Sequence, residues 1–331
     1  MHQGRKVMYG FLSCLAMLVI ILDGANAADS VQNALNMCLQ TVIPALFPFF
    51  VFSGIVNSCF LGQNFYFAER LGRLCRIPTG TESLLLIGLI SGYPVGAQLV
   101  SDAYNNRSIT EGTAKRMLGF CSNAGPAFIF GILASAFTNP VTSWVLWAIH
   151  IVSALGVGWV LPGGVAEKCL LSDNRSISIT KALSNAIRNI AMVCAWVILF
   201  RLLLDFCNRW FLWLLPPVIQ VLIAGTIELT NGCIMLQQID MESMRFIIAS
   251  VLLAFGGFCV SMQTYSVAKN LRVTTYFHGK MLQMLFSATL SILLEPVLFP
   301  NNSNIFRSKS LIVLFVLCSG LVIYMHRRKK L

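Results

Sequence analysis

Apolar residues come in long runs along this chain, at about 7–27, 34–60, 83–104, 114–137, 142–162, 182–206, 214–236, 246–268, 279–298 and 310–326. Most of these reach the roughly 20 residues that a helix needs to cross a bilayer. No long polar linker interrupts them, and the longest polar stretches are 61–82 and 163–181. The pattern predicts an all-α polytopic membrane protein without a soluble domain. The first run follows Arg5 and Lys6 and ends at Ala25-Asn26-Ala27. It reads either as an uncleaved first helix or as a signal peptide with an A-x-A site. The helix is the favoured reading, because further apolar spans follow at once.

The second half of the pattern repeats the first. ALNMCLQTVIPALFPFFVFSGIV (34–56) is matched by ALSNAIRNIAMVCAWVILFRLLL (182–204), LIGLISGYPVG (86–96) by LIAGTIELTNG (222–232), and LGFCSNAGPAF (118–128) by LAFGGFCVSMQ (253–263). Each match alone is weak. Their shared order, at separations of about 148, 137 and 135 residues, predicts an internal duplication. The expected organisation is a transmembrane helix or signal-like segment (1–33), a first repeat (34–162), a cytoplasmic linker (163–181), a second repeat (182–298), and a last helix with a basic tail (299–331).

Loop charge orients the halves. If 83–104 and 214–236 dip into the membrane and return, the basic loops all fall on one side. These are 1–6, 61–82 with Arg70, Arg73 and Arg76, 105–116 with Arg107, Lys115 and Arg116, 163–181 with Lys168, Arg175 and Lys181, 269–280 with Lys269, Arg272 and Lys280, and the tail from His326 to Lys330. The opposite loops, 28–33, 138–141, 207–213, 237–245 and 299–309, carry few basic residues. Full crossing by 83–104 would move 163–181 to the wrong side. The expectation is therefore about eight spanning helices plus two re-entrant broken-helix hairpins in inverted repeats, with both termini cytoplasmic. Re-entrant backbone requires cover by protein or a water-filled cavity, and such repeats recur in secondary transporters.

Composition agrees with the pattern. Apolar residues make up 56% and charged residues 11%, with mean hydropathy +0.74. A soluble domain carries about 25% charge. The net charge of +11 would suggest nucleic acid in a soluble chain. Here the basic residues occupy short loops, so no nucleic-acid partner is expected. Eleven cysteines form no C-x-x-C pair and mostly lie inside apolar runs. They read as small hydrophobes rather than a disulfide or zinc framework.

Candidate chemistry sits where the apolar runs break. In Ser91-Gly92-Tyr93-Pro94-Val95-Gly96, glycine frees the backbone and Pro94 removes an amide hydrogen, which should break the helix in mid-membrane. Freed backbone groups there can bind a polar solute, although a packing seam or kink is the plainer reading. A second break is expected at Cys121-Ser122-Asn123-Ala124-Gly125-Pro126. Ser122 and Asn123 must face partners or a cavity, because unpaired polar groups in hydrocarbon are costly. In the second half Glu228-Leu229-Thr230-Asn231-Gly232 takes the matching place. Glu228 is an acid within an apolar segment, where ionisable groups are often functional. The plainer reading is a hairpin-tip acid paired to a helix end. Gln263, after Phe255-Gly256-Gly257, is a further candidate. The substrate-binding set is thus Ser91, Gly92, Tyr93, Pro94, Gly96, Ser122, Asn123, Gly125, Glu228, Thr230, Asn231 and Gln263. The four histidines do not cluster. No nucleotide-binding loop, Ser-His-Asp pattern or metal motif is present in the sequence, so neither enzymatic activity nor a cofactor is expected.

At Ile43-Pro44-Ala45-Leu46-Phe47-Pro48-Phe49-Phe50, Ser91 to Ala97 and Phe120 to Phe128, the chain resembles the YlbJ sporulation integral membrane proteins. That family goes with the nucleoside-recognition or gate-domain proteins, related to the gate region of ferrous iron transporters. The resemblance runs from about residue 34 to 290 and is looser at Phe255-Gly256-Gly257 and Gln263. Ser122 stands where family members often carry Asn, and Ser261 where they often carry His. The resemblance implies a transport-like fold in the cell membrane of an endospore-forming bacterium, with a part in spore formation such as cortex assembly. A transporter or gated pore for a small polar solute, nucleoside-like or ionic, is the first expectation. A non-transporting scaffold or assembly factor is the second. Expected partners are the lipid bilayer and the solute, with a homo-oligomer or other sporulation membrane proteins left open.

Overall fold

The computed structural model describes residues 2–60, 66–163, 178–268 and 270–300. Among these residues the chain is helical, with no strand. The expected helix at 310–326, the basic tail, Lys168, Arg175 and Lys269 lie outside the described residues. Five helical stretches are long and apolar enough to cross a membrane: Gly24–Val56, Pro140–Val160, Ile179–Trp210, Glu242–Val267 and Thr274–Leu298. Their apolar side chains are widely exposed, for example Phe52, Trp144, Leu199 and Val297. Such a surface suits lipid, and the chain is a multi-pass membrane protein.

Helix α1 (His2–Leu22) ends at Asp23, and α2 (Gly24–Met37) begins at once. Residues 28–33, expected as a loop, are therefore helical. Ala-Asp-Ser-Val-Gln-Asn holds no glycine or proline, and its polarity alone does not break a helix. One π-helical turn, Cys38–Val42, joins α2 to α3 (Ile43–Phe60). Pro44 follows directly. It offers no amide hydrogen and crowds the carbonyl four residues back, which a wider turn accommodates. A short helix, α4 (Tyr66–Leu74), lies in the basic stretch after it.

Helices α5 (Glu82–Ser91) and α6 (Val95–Asn105) flank a break at Gly92–Pro94. A straight helix would hold Gly88 and Gly96 about 12 Å apart. Instead, a Cβ on Gly96 would fall 3.2 Å from the Gly88 Cα. The chain turns back on itself. Helices α7 (Glu111–Cys121) and α8 (Pro126–Gly131) flank the second break, and α9 (Pro140–Val160) closes the first half.

The second half presents a similar order of elements, without a counterpart of α4. A long helix, α10 (Ile179–Trp210), comes first. Next, α11 (Pro217–Ile227) and α12 (Leu229–Met235) fold back on each other. A Cβ on Gly232 would fall 2.1 Å from the Gly225 Cα, where a straight helix would give about 10 Å. Helices α13 (Glu242–Phe255) and α14 (Gly257–Val267) follow across Gly256, and α15 (Thr274–Leu298) ends the described chain. Helix α15 packs against α7, α9 and α13, and α10 packs against α3. Gly119 and Gly279 bring α7 and α15 together, since a Cβ on Gly279 would lie 2.2 Å from the Gly119 carbonyl oxygen. Small residues permit such backbone approach.

This packing corrects two assignments. Arg116, expected in the loop 105–116, lies in α7 and is buried. Lys280, expected in a cytoplasmic loop, sits seven residues into α15 and is fully buried.

Candidate functional site

The four helix breaks meet. Gly92 has a positive φ of 77°, and a Cβ there would lie 2.9 Å from the Gly125 amide nitrogen. The first and second breaks are therefore in backbone contact, which only glycine allows at both positions. In the second half, a Cβ on Gly257 would lie 2.9 Å from the Gly225 carbonyl oxygen and 3.4 Å from the Leu229 nitrogen. Tyr93 ties the pairs together. Its hydroxyl donates to the Leu253 carbonyl at 3.3 Å, and its ring lies against Gly256. The Tyr93–Pro94 peptide is cis.

A buried polar network lies at the first-half breaks. Asn123, with no exposed surface, donates from Nδ2 to the Phe120 carbonyl at 2.6 Å, satisfying one of the carbonyls left open where α7 ends. Its Oδ1 accepts from Gln283 Nε2 at 2.9 Å and from Lys280 Nζ at 3.4 Å. Lys280 also donates to Gln283 Oε1 at 2.9 Å, and Gln283 Nε2 reaches the His150 carbonyl at 3.3 Å. His150, in α9, accepts the Ala124 amide on Nε2 at 3.0 Å. The Lys280 ammonium stands 5.9 Å from the Tyr93 ring centroid and 5.8 Å from that of Tyr276. Ser122 shares a hydrogen bond of 3.4 Å with Thr264 of α14. Ser91 Oγ and His150 Nδ1 are buried without a hydrogen-bond partner, and the Tyr276 hydroxyl faces those of Thr264 and Ser261.

Charge makes this network unusual. No carboxylate lies within ion-pair distance of Lys280 among the described residues. Its partners are amide oxygens and ring faces. A buried charge ordinarily has a counter-charge, and ionisable side chains inside membrane segments commonly mark functional sites.

Glu228 belongs to a second cluster. It caps α12, accepting the Thr230 amide on Oε1 at 3.0 Å and, on Oε2, the Asn231 amide and Nδ2 at 2.7 Å each. Arg201 of α10 donates to Asn231 Oδ1 and pairs with Asp205. No hydrogen bond described joins this cluster to the Lys280 network. Gln263 is buried in α14, donating to Cys259 Sγ at 3.5 Å.

The structure thus gathers Ser91, Gly92, Tyr93, Pro94, Gly96, Ser122, Asn123 and Gly125 around one locus. It sets Glu228, Thr230 and Asn231 in a capping cluster. Lys280, Gln283, His150, Thr264 and Tyr276 were not singled out in the sequence. Two signals were there to read: Lys280 and Gln283, three apart, share a helix face, and His150 interrupts an apolar run. Among the described residues no group of His, Cys, Asp or Glu is arranged to hold a metal ion.

No family model matches the chain. No solved structure matches it. The chain is similar to the sporulation integral membrane protein YlbJ of Bacillus subtilis (strain 168), with 26% identity over 322 aligned residues, covering 82% of this chain and 78% of that protein. The similarity supports the YlbJ-like assignment made from the motifs.

Proposed function

We propose that this chain is a membrane transporter or gated pore for a small polar solute, working in spore formation as the relative's name suggests. The observation that carries the reading is the meeting of four helix breaks around buried polar side chains. Broken helices at mid-membrane are where secondary transporters hold solute, because backbone and side-chain polar groups are freed there without exposure to lipid. The doubled element order supports an inverted repeat with α5–α6 and α11–α12 as re-entrant hairpins. With the last helix included, that reading has about eight spanning helices and both termini cytoplasmic. It needs neither a cofactor nor catalysis.

Flux into proteoliposomes across a panel of nucleosides, amino acids and ions tests the proposal. Saturable uptake of one solute, lost in Asn123→Ala at unchanged protein level, is the expected result. A flat panel would favour the second reading, a membrane scaffold required in sporulation. One observation speaks for that alternative: Glu228 has its oxygens occupied by capping bonds. The topology has its own test. A thiol in place of Asn106, between α6 and α7, should react only from the cytoplasmic side, and reaction from outside alone would rule out the re-entrant arrangement.

A further inference from the structure

Lys280, Asn123 and Gln283 define a polar centre whose unfilled capacity is all of one kind. An ammonium offers three donors. Two acceptors are in reach of Lys280, at 2.9 and 3.4 Å. Asn123 Oδ1 is shared with Gln283 Nε2, so it is no exclusive partner. His150 takes the Ala124 amide hydrogen on Nε2, so that nitrogen carries a lone pair and the neutral ring holds its proton on Nδ1. That Nδ1 has no partner, while the Tyr276 hydroxyl faces the hydroxyls of Thr264 and Ser261. His150 and Tyr276 are 1% exposed, and Lys280 is 0% exposed. The locus therefore holds an ammonium with a donor to spare, an N–H without an acceptor, and no carboxylate to balance the charge among the described residues.

A metal cation would add to that imbalance, and a nucleoside could accept hydrogen bonds but would leave the charge unbalanced. We propose that the Lys280 centre binds an oxyanion, a phosphoryl or carboxylate group, with the ammonium as its counter-charge. His150 supplies a hydrogen bond to the oxygens, the Tyr276 ring lies beside the ammonium, and Asn123 and Gln283 hold the lysine head in position. The inference rests on the transporter reading and narrows it to solutes with an anionic group. A phospholipid headgroup presents the same chemistry as a free anion, so the source is settled by experiment.

The full chain in phosphatidylcholine nanodiscs would be titrated with inorganic phosphate, acetate, uridine monophosphate and uridine, with binding read by isothermal calorimetry. At least one oxyanion should bind saturably, and uridine monophosphate more tightly than uridine. Lys280→Met should weaken oxyanion binding by tenfold or more, with Lys280→Arg restoring part of it. Lys280→Gln, with a polar head, replaces the Met variant if that one is not monodisperse. Competition by added phosphatidylglycerol, itself dependent on Lys280, would uphold the site and assign it to a headgroup. Absence of saturable oxyanion binding, equal binding by the Lys280 variants, or uridine binding as tightly as its monophosphate would each overturn the proposal. The two readings fail separately. Lys280-dependent binding without flux in proteoliposomes removes transport alone, while flux of a neutral solute untouched by Lys280→Met removes the oxyanion site alone.

Discussion

Replacing Gly96 by alanine tests the fold at its tightest point. A Cβ there would lie 2.1 Å from the Cys121 carbonyl oxygen, 3.1 Å from the Cys121 carbonyl carbon and 3.2 Å from the Gly88 Cα. The obstacles are backbone atoms of α7 and α5, so no side-chain rotation relieves them. The contact must open by about 1 Å before it becomes tolerable, and interiors packed to crystal density yield little. Overpacking of this kind costs about 1–3 kcal/mol, sometimes more. Alanine recovers about 0.5–1 kcal/mol of helix propensity, so a net loss of ~1 kcal/mol is expected, or a few degrees in midpoint for a chain of this size. The assay is the fraction of purified protein that stays monodisperse after heating, since membrane proteins commonly unfold irreversibly and a rate is what is read. Gly112→Ala is the control. It lies near the start of α7 with no atom within 4 Å of the added Cβ, and should be neutral or slightly stabilising. Equal stability of the two variants would refute the closed α5–α6 hairpin and its seat on α7.

Three further outcomes are expected. Arg116, buried in α7, donates to the carbonyls of Gly158, Leu161 and Arg76. Arg116→Met should lose roughly 2–4 kcal/mol in denaturant titration, with little rescue by lysine, which lacks the planar fork. Glu228→Gln keeps one capping oxygen of two, so it should cost about 1 kcal/mol by the same titration even without solute; unchanged stability with lost flux would make Glu228 a solute ligand instead. Tyr93→Phe removes the hydroxyl bond to Leu253 between the halves and should cost about 1 kcal/mol, read as faster loss of monodisperse protein on heating.

Local chemistry made the breaks legible in the sequence. Gly92 with Pro94, and Gly125 with Pro126, disrupt a helix wherever they stand. The glycines of 222–232 were set against those of 86–96, and both pairs prove to be fold-back contacts. What stayed hidden depends on partners distant in the chain. Residues 28–33 were assigned to a loop because they are polar, and polarity does not distinguish a solvated loop from a helix. Lys280 was counted with the loop charges because it closes the basic stretch 269–280. Only the approach of α15 to α7 at Gly119 and Gly279 places it in the interior.

That approach also explains why the two halves differ in what they leave unsatisfied. The acid of the second half, Glu228, has both oxygens engaged by the amides of its own helix start, and Arg201 holds the far side of Asn231. Capping of this kind stabilises the α11–α12 turn, and no ion pair joins Glu228 to Lys280 among the described residues. The first half ends its helices at Gly92 and Asn123 without an acid, and the cation reaches it from the second half, on α15. A positive centre between the halves, without a carboxylate in ion-pair reach among the described residues, either gives up its proton or gains a negative group. If that group is a solute, it is held where both halves contribute. Its arrival then changes the contact between them, which is what alternating access requires of a solute site.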